Sequence, residues 1–160
     1  MSLIFREARL PDVGELFDVR AATRENAIPR ERLAQMGITP DSVSAALASG
    51  ATRGWVSLDG LRIVGFCLGA SASGEVLVLA VLPEYERRGV GKALLSLVVD
   101  WLWSFDPKTV WLAAAPDPRG RAHGFYRHLG WRPTGETDAN GDELLTLPPP
   151  TGSSPRREPA

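Results

Sequence analysis

Cysteine is nearly absent: among 160 residues there is one, Cys67, and there are two histidines. A single thiol cannot close an intramolecular disulfide, which fits a cytoplasmic setting. One Cys and two His do not supply a usual zinc ligand set, so no metal is expected. A surplus of either charge is also lacking. Eighteen basic residues face nineteen acidic ones, a net charge of −1. That balance gives no broad attraction for nucleic acid or an anionic membrane. No apolar run approaches the roughly 20 residues that span a bilayer. The first residues, Met1-Ser2-Leu3-Ile4-Phe5-Arg6-Glu7, lack a basic segment followed by a long apolar one, so no signal peptide is expected. What the chain does hold is 44 % hydrophobic residues, enough for one core in one domain.

The period of those residues changes along the chain. Residues 3–8 read as a strand, and Pro11 opens a helix to about 23, with Asp12 and Glu15 in its first turn. Arg24-Glu25-Asn26 follow as loop. A short helix over 30–36 is stopped by Gly37, and a second is capped by Thr39 and ended by Gly50. Strands follow at 52–58 and 61–69, with Asp59-Gly60 between them as a two-residue hairpin link. Cys67, inside Gly65-Phe66-Cys67-Leu68-Gly69, is expected as a buried strand residue rather than a nucleophile. Residues 75–82 are nearly all apolar, which predicts a central strand covered on both faces.

Residues 89–105 give the clearest helix: Val90, Ala93, Leu94, Leu97, Val98, Trp101 and Leu102 share one stripe, and Trp103 lies off it, available to a neighbouring element or a dimer surface. A strand at 109–114, a helix at 121–129 and a hairpin of 131–135 with 142–147 complete the order. Residues 148–160 are rich in Pro, Ser and Arg without apolar period and read as a tail. The expected architecture is α/β with a mixed sheet in a domain of residues 1–147.

The junction of the apolar strand and the clearest helix carries the chemistry. In Glu86-Arg87-Arg88-Gly89-Val90-Gly91-Lys92, two glycines let backbone amides approach an anion. The helix start adds unpaired N–H groups and a favourable dipole, and Arg87, Arg88 and Lys92 add positive charge. A Walker A loop is excluded, because Glu86 and Ala93 stand where it needs Gly and Ser or Thr. A dinucleotide fingerprint is excluded by Leu94 in place of its third glycine.

This segment resembles the acyl-CoA motif of the GNAT acetyltransferase superfamily, Gln/Arg-x-x-Gly-x-Gly/Ala. A second block, Gly124-Phe125-Tyr126-Arg127-His128-Leu129-Gly130-Trp131, is similar to the family's late Phe-Tyr-x-x-Leu-Gly-Phe. The element order matches over residues 3–147. The resemblance implies a mostly antiparallel sheet of about seven strands with flanking helices, splayed between the fourth and fifth. It implies acetyl-CoA as co-substrate, its pyrophosphate held by Arg87, Arg88, Gly89, Val90, Gly91 and Lys92. Pantetheine would then lie along Leu79, Ala80 and Val81, and Tyr126 would protonate the departing thiolate. The acceptor would be a primary amine of a small molecule or peptide, and homodimers are common in the family. Three residues depart from the pattern: Glu86 where Gln or Arg is usual, Arg119 in the slot of a frequent Asn, and Trp131 for Phe.

An amine is mostly protonated at neutral pH and needs a base. Glu75, at the start of the apolar strand, and Glu25, in the loop that borders substrates in the family, are the carboxylates placed for it. His123 and His128, five residues apart on different helix faces, do not form a metal pair. Arg20 and Arg24, one turn apart, could pair with a substrate carboxylate. A second reading keeps the fold without turnover, as an acyl-CoA-binding or sensing module. A third uses the Pro-rich tail to bind a partner.

Overall fold

The computed structural model describes residues 2–23, 27–105, 107 and 109–149. Seven strands are joined in the order β1-β2-β3-β4-β5-β7-β6. These are β1 (Ile4–Glu7), β2 (Thr52–Asp59), β3 (Arg62–Ala70), β4 (Glu75–Val81), β5 (Val110–Ala114), β6 (Arg132–Thr137) and β7 (Glu143–Leu147). Pairing is antiparallel from β1 to β4 and between β6 and β7, and parallel between β4 and β5. The helices are α1 (Val13–Ala21), α2 (Arg30–Gln35), α3 (Pro40–Ser49), α4 (Val90–Trp103) and α5 (Arg121–His128). The mixed, mostly antiparallel seven-stranded sheet is therefore the predicted architecture. The chain divides into two compact units, Met1–Leu112 and Ala113–Ala160.

In the first unit, side-chain alternation sorts β3 between two helical layers. Phe66 and Leu68 join Leu16 and Val19 of α1, Val56 and Leu58 of β2 and Ala80 of β4 in one buried cluster. On the other face, α4 lays Val90, Leu94 and Val98 over Gly65 and Gly69. Cys67 is fully buried there, as expected of a core residue. Trp101 is half-buried rather than a core residue and meets Phe105 edge-to-face at 5.2 Å. Trp103 is also half-buried.

Helix boundaries follow local chemistry. Thr39 Oγ1 accepts the Ser42 N–H at 3.1 Å, and Ser42 Oγ accepts the Thr39 N–H at 2.9 Å, a reciprocal cap for α3. Asp12 takes the two Arg6 guanidinium nitrogens at 2.8 and 3.0 Å and the Arg9 N–H at 2.7 Å, which anchors the start of α1 to β1. Glu15 of α1 accepts the Ile63 N–H of β3 at 2.9 Å.

Two expectations need correction. The β2–β3 turn is Gly60-Leu61, one residue later than Asp59-Gly60, because Asp59 stays in the ladder opposite Arg62. Gly60, at φ 64°, takes the first central position, where a tight hairpin turn of the II′ kind wants glycine, and Leu61 projects into solvent at 95 % exposure. The apolar β4 is also not covered on both faces: Leu77 is 42 % exposed and Val78, Leu79 and Val81 are half-buried. Its flank toward β5 is open because, among the described residues, those two strands pair only at Glu75 and Trp111.

Candidate functional site

The end of β4 is tied down before the turn begins. The Leu82 N–H donates to the Val64 carbonyl at 2.9 Å, and Pro83–Tyr85 form one 3-10 turn. Glu86 is extended, Arg87 takes φ 66° and Gly89 takes φ 79° as the residue capping α4. Arg87 is the one non-glycine residue with positive φ among the described residues. A non-glycine side chain rarely adopts that conformation, and such backbone clusters at ligand-contacting turns. Alternation of left- and right-handed residues turns successive N–H groups toward one point, an anion-binding nest. The Ala93 N–H donates to the Gly89 carbonyl at 3.0 Å, so the amides of Val90, Gly91 and Lys92 precede the helical ladder.

The side chains of this turn divide by role. Val90 is buried and packs beside Gly65, which fixes the helix start against the sheet. Arg87, Arg88 and Lys92 are exposed. The Arg88 guanidinium carbon lies 5.0 Å from the centre of the Tyr85 ring. The Tyr85 hydroxyl donates in turn to the Asp59 carboxylate, a bond that holds the phenol above its usual range. Sequence reasoning missed Tyr85 and Asp59, because the placement of the hairpin turn alone decides whether Asp59 is a turn residue or a strand residue.

Leu79, Ala80 and Val81 sit in β4 opposite Cys67, Phe66 and Gly65 of β3. Ala80 is buried, while Leu79 and Val81 are half-buried. Leu77 is an extra residue in the ladder: Leu68 opposes Val78 and Gly69 opposes Val76. Such a bulge bends a strand and re-aims its amides. Nothing in an all-apolar run announces it. Among the described residues the parallel ladder of β4 with β5 has one pair, Glu75 opposite Trp111. Trp111 secures it twice, its N–H donating to the Gly74 carbonyl at 3.1 Å and its indole N–H to the Ser73 carbonyl at 3.0 Å. The strands are splayed from that point on.

In the second unit, Tyr126 of α5 is largely buried, edge-to-face with Phe125 at 5.1 Å and Trp131 at 5.9 Å. Its carbonyl accepts the Trp131 N–H at 3.0 Å. Trp131 itself is buried and precedes β6, so the aromatic at the Phe position serves as packing for the tyrosine. Arg127 Nη2 donates to Glu143 Oε1 at 3.0 Å, pinning α5 to β7 and holding that carboxylate below its usual range. Arg119, in the slot of the family Asn, is exposed and donates to Asp117 Oδ1 through its backbone N–H at 2.9 Å and its guanidinium at 3.3 Å.

The remaining candidates are scattered. Glu75 is half-buried at the start of β4, and six residue-to-residue steps of strand, about 20 Å, separate it from Val81. Arg24, Glu25 and Asn26 lie outside the described residues. Arg20 and His123 are half-buried, and His128 is exposed. Burial pushes the Cys67 thiol far up, which removes it as a nucleophile. Among the described residues, no cluster of three His, Cys, Asp or Glu forms a metal site, and no helix is long and apolar enough to cross a membrane.

Solved structures repeat this arrangement. The PaiA N-acetyltransferase from Thermoplasma acidophilum, solved in complex with coenzyme A, superposes with a TM-score of 0.76 at 17 % identity, over 92 % of this chain and 99 % of that one. Ard1 from Thermoplasma volcanium gives 0.66 at 18 % identity, over 91 % and 95 %. The ribosomal-protein-S18-alanine N-acetyltransferase from Escherichia coli gives 0.63 at 19 % identity, over 92 % and 94 %. No curated protein matches the sequence. At these identities the superpositions establish the fold. The family itself follows from residues 17–131, which match the model of the acetyltransferase (GNAT) family over more than half of the chain, so the chain belongs to the GNAT acetyltransferases.

Proposed function

We propose that the protein is an acetyl-CoA-dependent N-acetyltransferase that acts on a primary amine of a small molecule or peptide in the cytoplasm. The observation that carries this reading is the turn at Arg87–Gly89, which aims amides ahead of α4 at the end of a strand splayed from its parallel neighbour. In this reading the pyrophosphate takes the amides from Arg87 to Lys92, with Arg87, Arg88 and Lys92 supplying charge. The pantetheine arm pairs with the open flank of Leu79, Ala80 and Val81.

The amine nitrogen attacks the thioester carbonyl directly. A C–N bond forms, the carbonyl oxygen gains the charge, and a β4 amide near the bulge stabilises it. Collapse breaks the C–S bond, and Tyr126 gives its phenolic proton to the sulfur. The amine proton leaves to a carboxylate or to water, Glu75 being the candidate within the described residues. Positioning and backbone electrostatics supply most of the rate.

Calorimetric titration with acetyl-CoA tests the cofactor. Saturable binding that is lost in an Arg88→Glu, Gly89→Glu variant supports the reading, and no binding at millimolar acetyl-CoA overturns the choice of acetyl donor. The departures at Glu86 and Arg119 favour one rival, a non-catalytic acyl-CoA sensor. Tyr126→Phe separates the two. An enzyme loses about a hundredfold in kcat with CoA affinity unchanged, whereas a sensor has no turnover to lose.

A further inference from the structure

We infer that Asp59 and Tyr85 are positioning residues that hold the Arg88 guanidinium ready for the phosphates of coenzyme A, supplying a side-chain contact that Glu86 cannot. The inference rests on the proposed use of the Arg87–Gly89 turn as a pyrophosphate site.

Three parts of the first unit meet here. Asp59 is the last residue of β2, held in the ladder opposite Arg62. Tyr85 ends the 3-10 turn after β4, and its ring is packed in the cluster that holds Ile63, Val64 and Leu82. Its backbone is fixed as well, the N–H donating to the Leu82 carbonyl at 2.9 Å. The hydroxyl reaches Asp59, so the ring is anchored by both its buried body and its polar tip. Arg88 lies over that ring at 5.0 Å while its side chain stays exposed.

An exposed arginine loses much rotamer freedom when it binds a phosphate. A guanidinium already resting on a fixed ring has lost part of it beforehand, and its in-plane N–H donors remain available for bidentate contact. Cation–π attraction and phosphate binding use different parts of the group, so the two act together. At the position where the family carries Gln or Arg this chain has Glu86, whose carboxylate cannot donate to a phosphate at neutral pH. Arg62, opposite Asp59 in the ladder, and Glu84, next to Tyr85 in the chain, form an exposed ion pair at 3.5 Å.

The test is a double-mutant cycle on the affinity for coenzyme A, with thermal unfolding to confirm that each variant is folded. Arg88→Gln is expected to raise Kd about tenfold, one exposed charge-assisted hydrogen bond. It should also flatten the dependence of log Kd on log salt. Tyr85→Phe, which keeps the ring, and Asp59→Ala are each expected to raise Kd about threefold through lost preorganisation. In an Arg88→Gln background neither should add anything. An undiminished Tyr85→Phe effect in that background assigns the pair to general stability and overturns the inference. So does an unchanged Kd in both single variants. Wild-type protein that does not bind coenzyme A overturns the pyrophosphate reading along with the inference, whereas binding that is indifferent to Arg88 overturns the inference alone.

Discussion

Asp12 is 10 % exposed at its side chain, yet it carries a full charge because Arg6 faces it with two N–H groups. That pairing, helped by the Arg9 N–H, outweighs burial and holds the carboxyl below its usual range. A lowered folded-state value means that the native protein binds fewer protons than the unfolded chain. The stabilisation is therefore complete above about pH 4 and is lost as pH falls through the folded value. Asp12→Asn is expected to cost about 1–3 kcal/mol at neutral pH, and urea unfolding should show the gap closing as pH falls below the usual carboxylate range. A gap that is independent of pH would place its origin in packing instead. Cys67 yields a second prediction at this scale. With its thiol buried and its ionisation suppressed, the folded protein should not react with aromatic disulfide reagents until denaturant is added. A prompt signal from the native state would contradict the buried placement. Both residues were readable in advance in different degrees. An apolar strand context marked Cys67 as core, whereas no spacing rule links Arg6 to Asp12.

Elements were legible where local chemistry decides them. Thr39 and Gly50 bracketed α3, and the apolar stripe from Val90 to Leu102 marked α4. The β4 sequence misled because apolar content reports what a strand avoids, not what covers it; its open flank toward β5 depends on where two distant strands stop pairing. That point is set at Gly74. Its φ is 75°, its carbonyl takes the Trp111 N–H, and a Cβ there would lie 2.1 Å from the Thr109 carbonyl oxygen. Gly74→Ala therefore combines backbone strain with a clash that backbone cannot yield to, and should cost more than about 2 kcal/mol. Gly60→Ala is the control: φ is 64° but the space is open, so conformational strain of about 1 kcal/mol is the whole expected cost. Equal losses in chemical denaturation would show that the β4–β5 start is no more constrained than an exposed turn.

At the scale of the molecule, periodicity gave seven strands in chain order but not their neighbours. Nothing in the final hairpin says that β7, not β6, lies next to β5. The turn proposed for the cofactor was legible because glycines, basic residues and a helix start fall together in seven consecutive positions, a local code. The acceptor was not, because the loop that the family resemblance sets beside the substrate, with Arg24, Glu25 and Asn26, carries no motif of its own. The tail is the remaining global question. Residues 148–160 hold five prolines and no aliphatic residue larger than alanine. Such a segment has little apolar surface to bury, so its removal should leave the unfolding midpoint within about 1 °C and leave CoA affinity unaltered. A truncation after Leu147, followed by thermal unfolding and acetyl-CoA titration, checks both. A lowered midpoint would give the tail a packed role. An unchanged midpoint with a raised KM for the amine would place it at the acceptor, since a segment that orders only with substrate leaves the unliganded stability untouched.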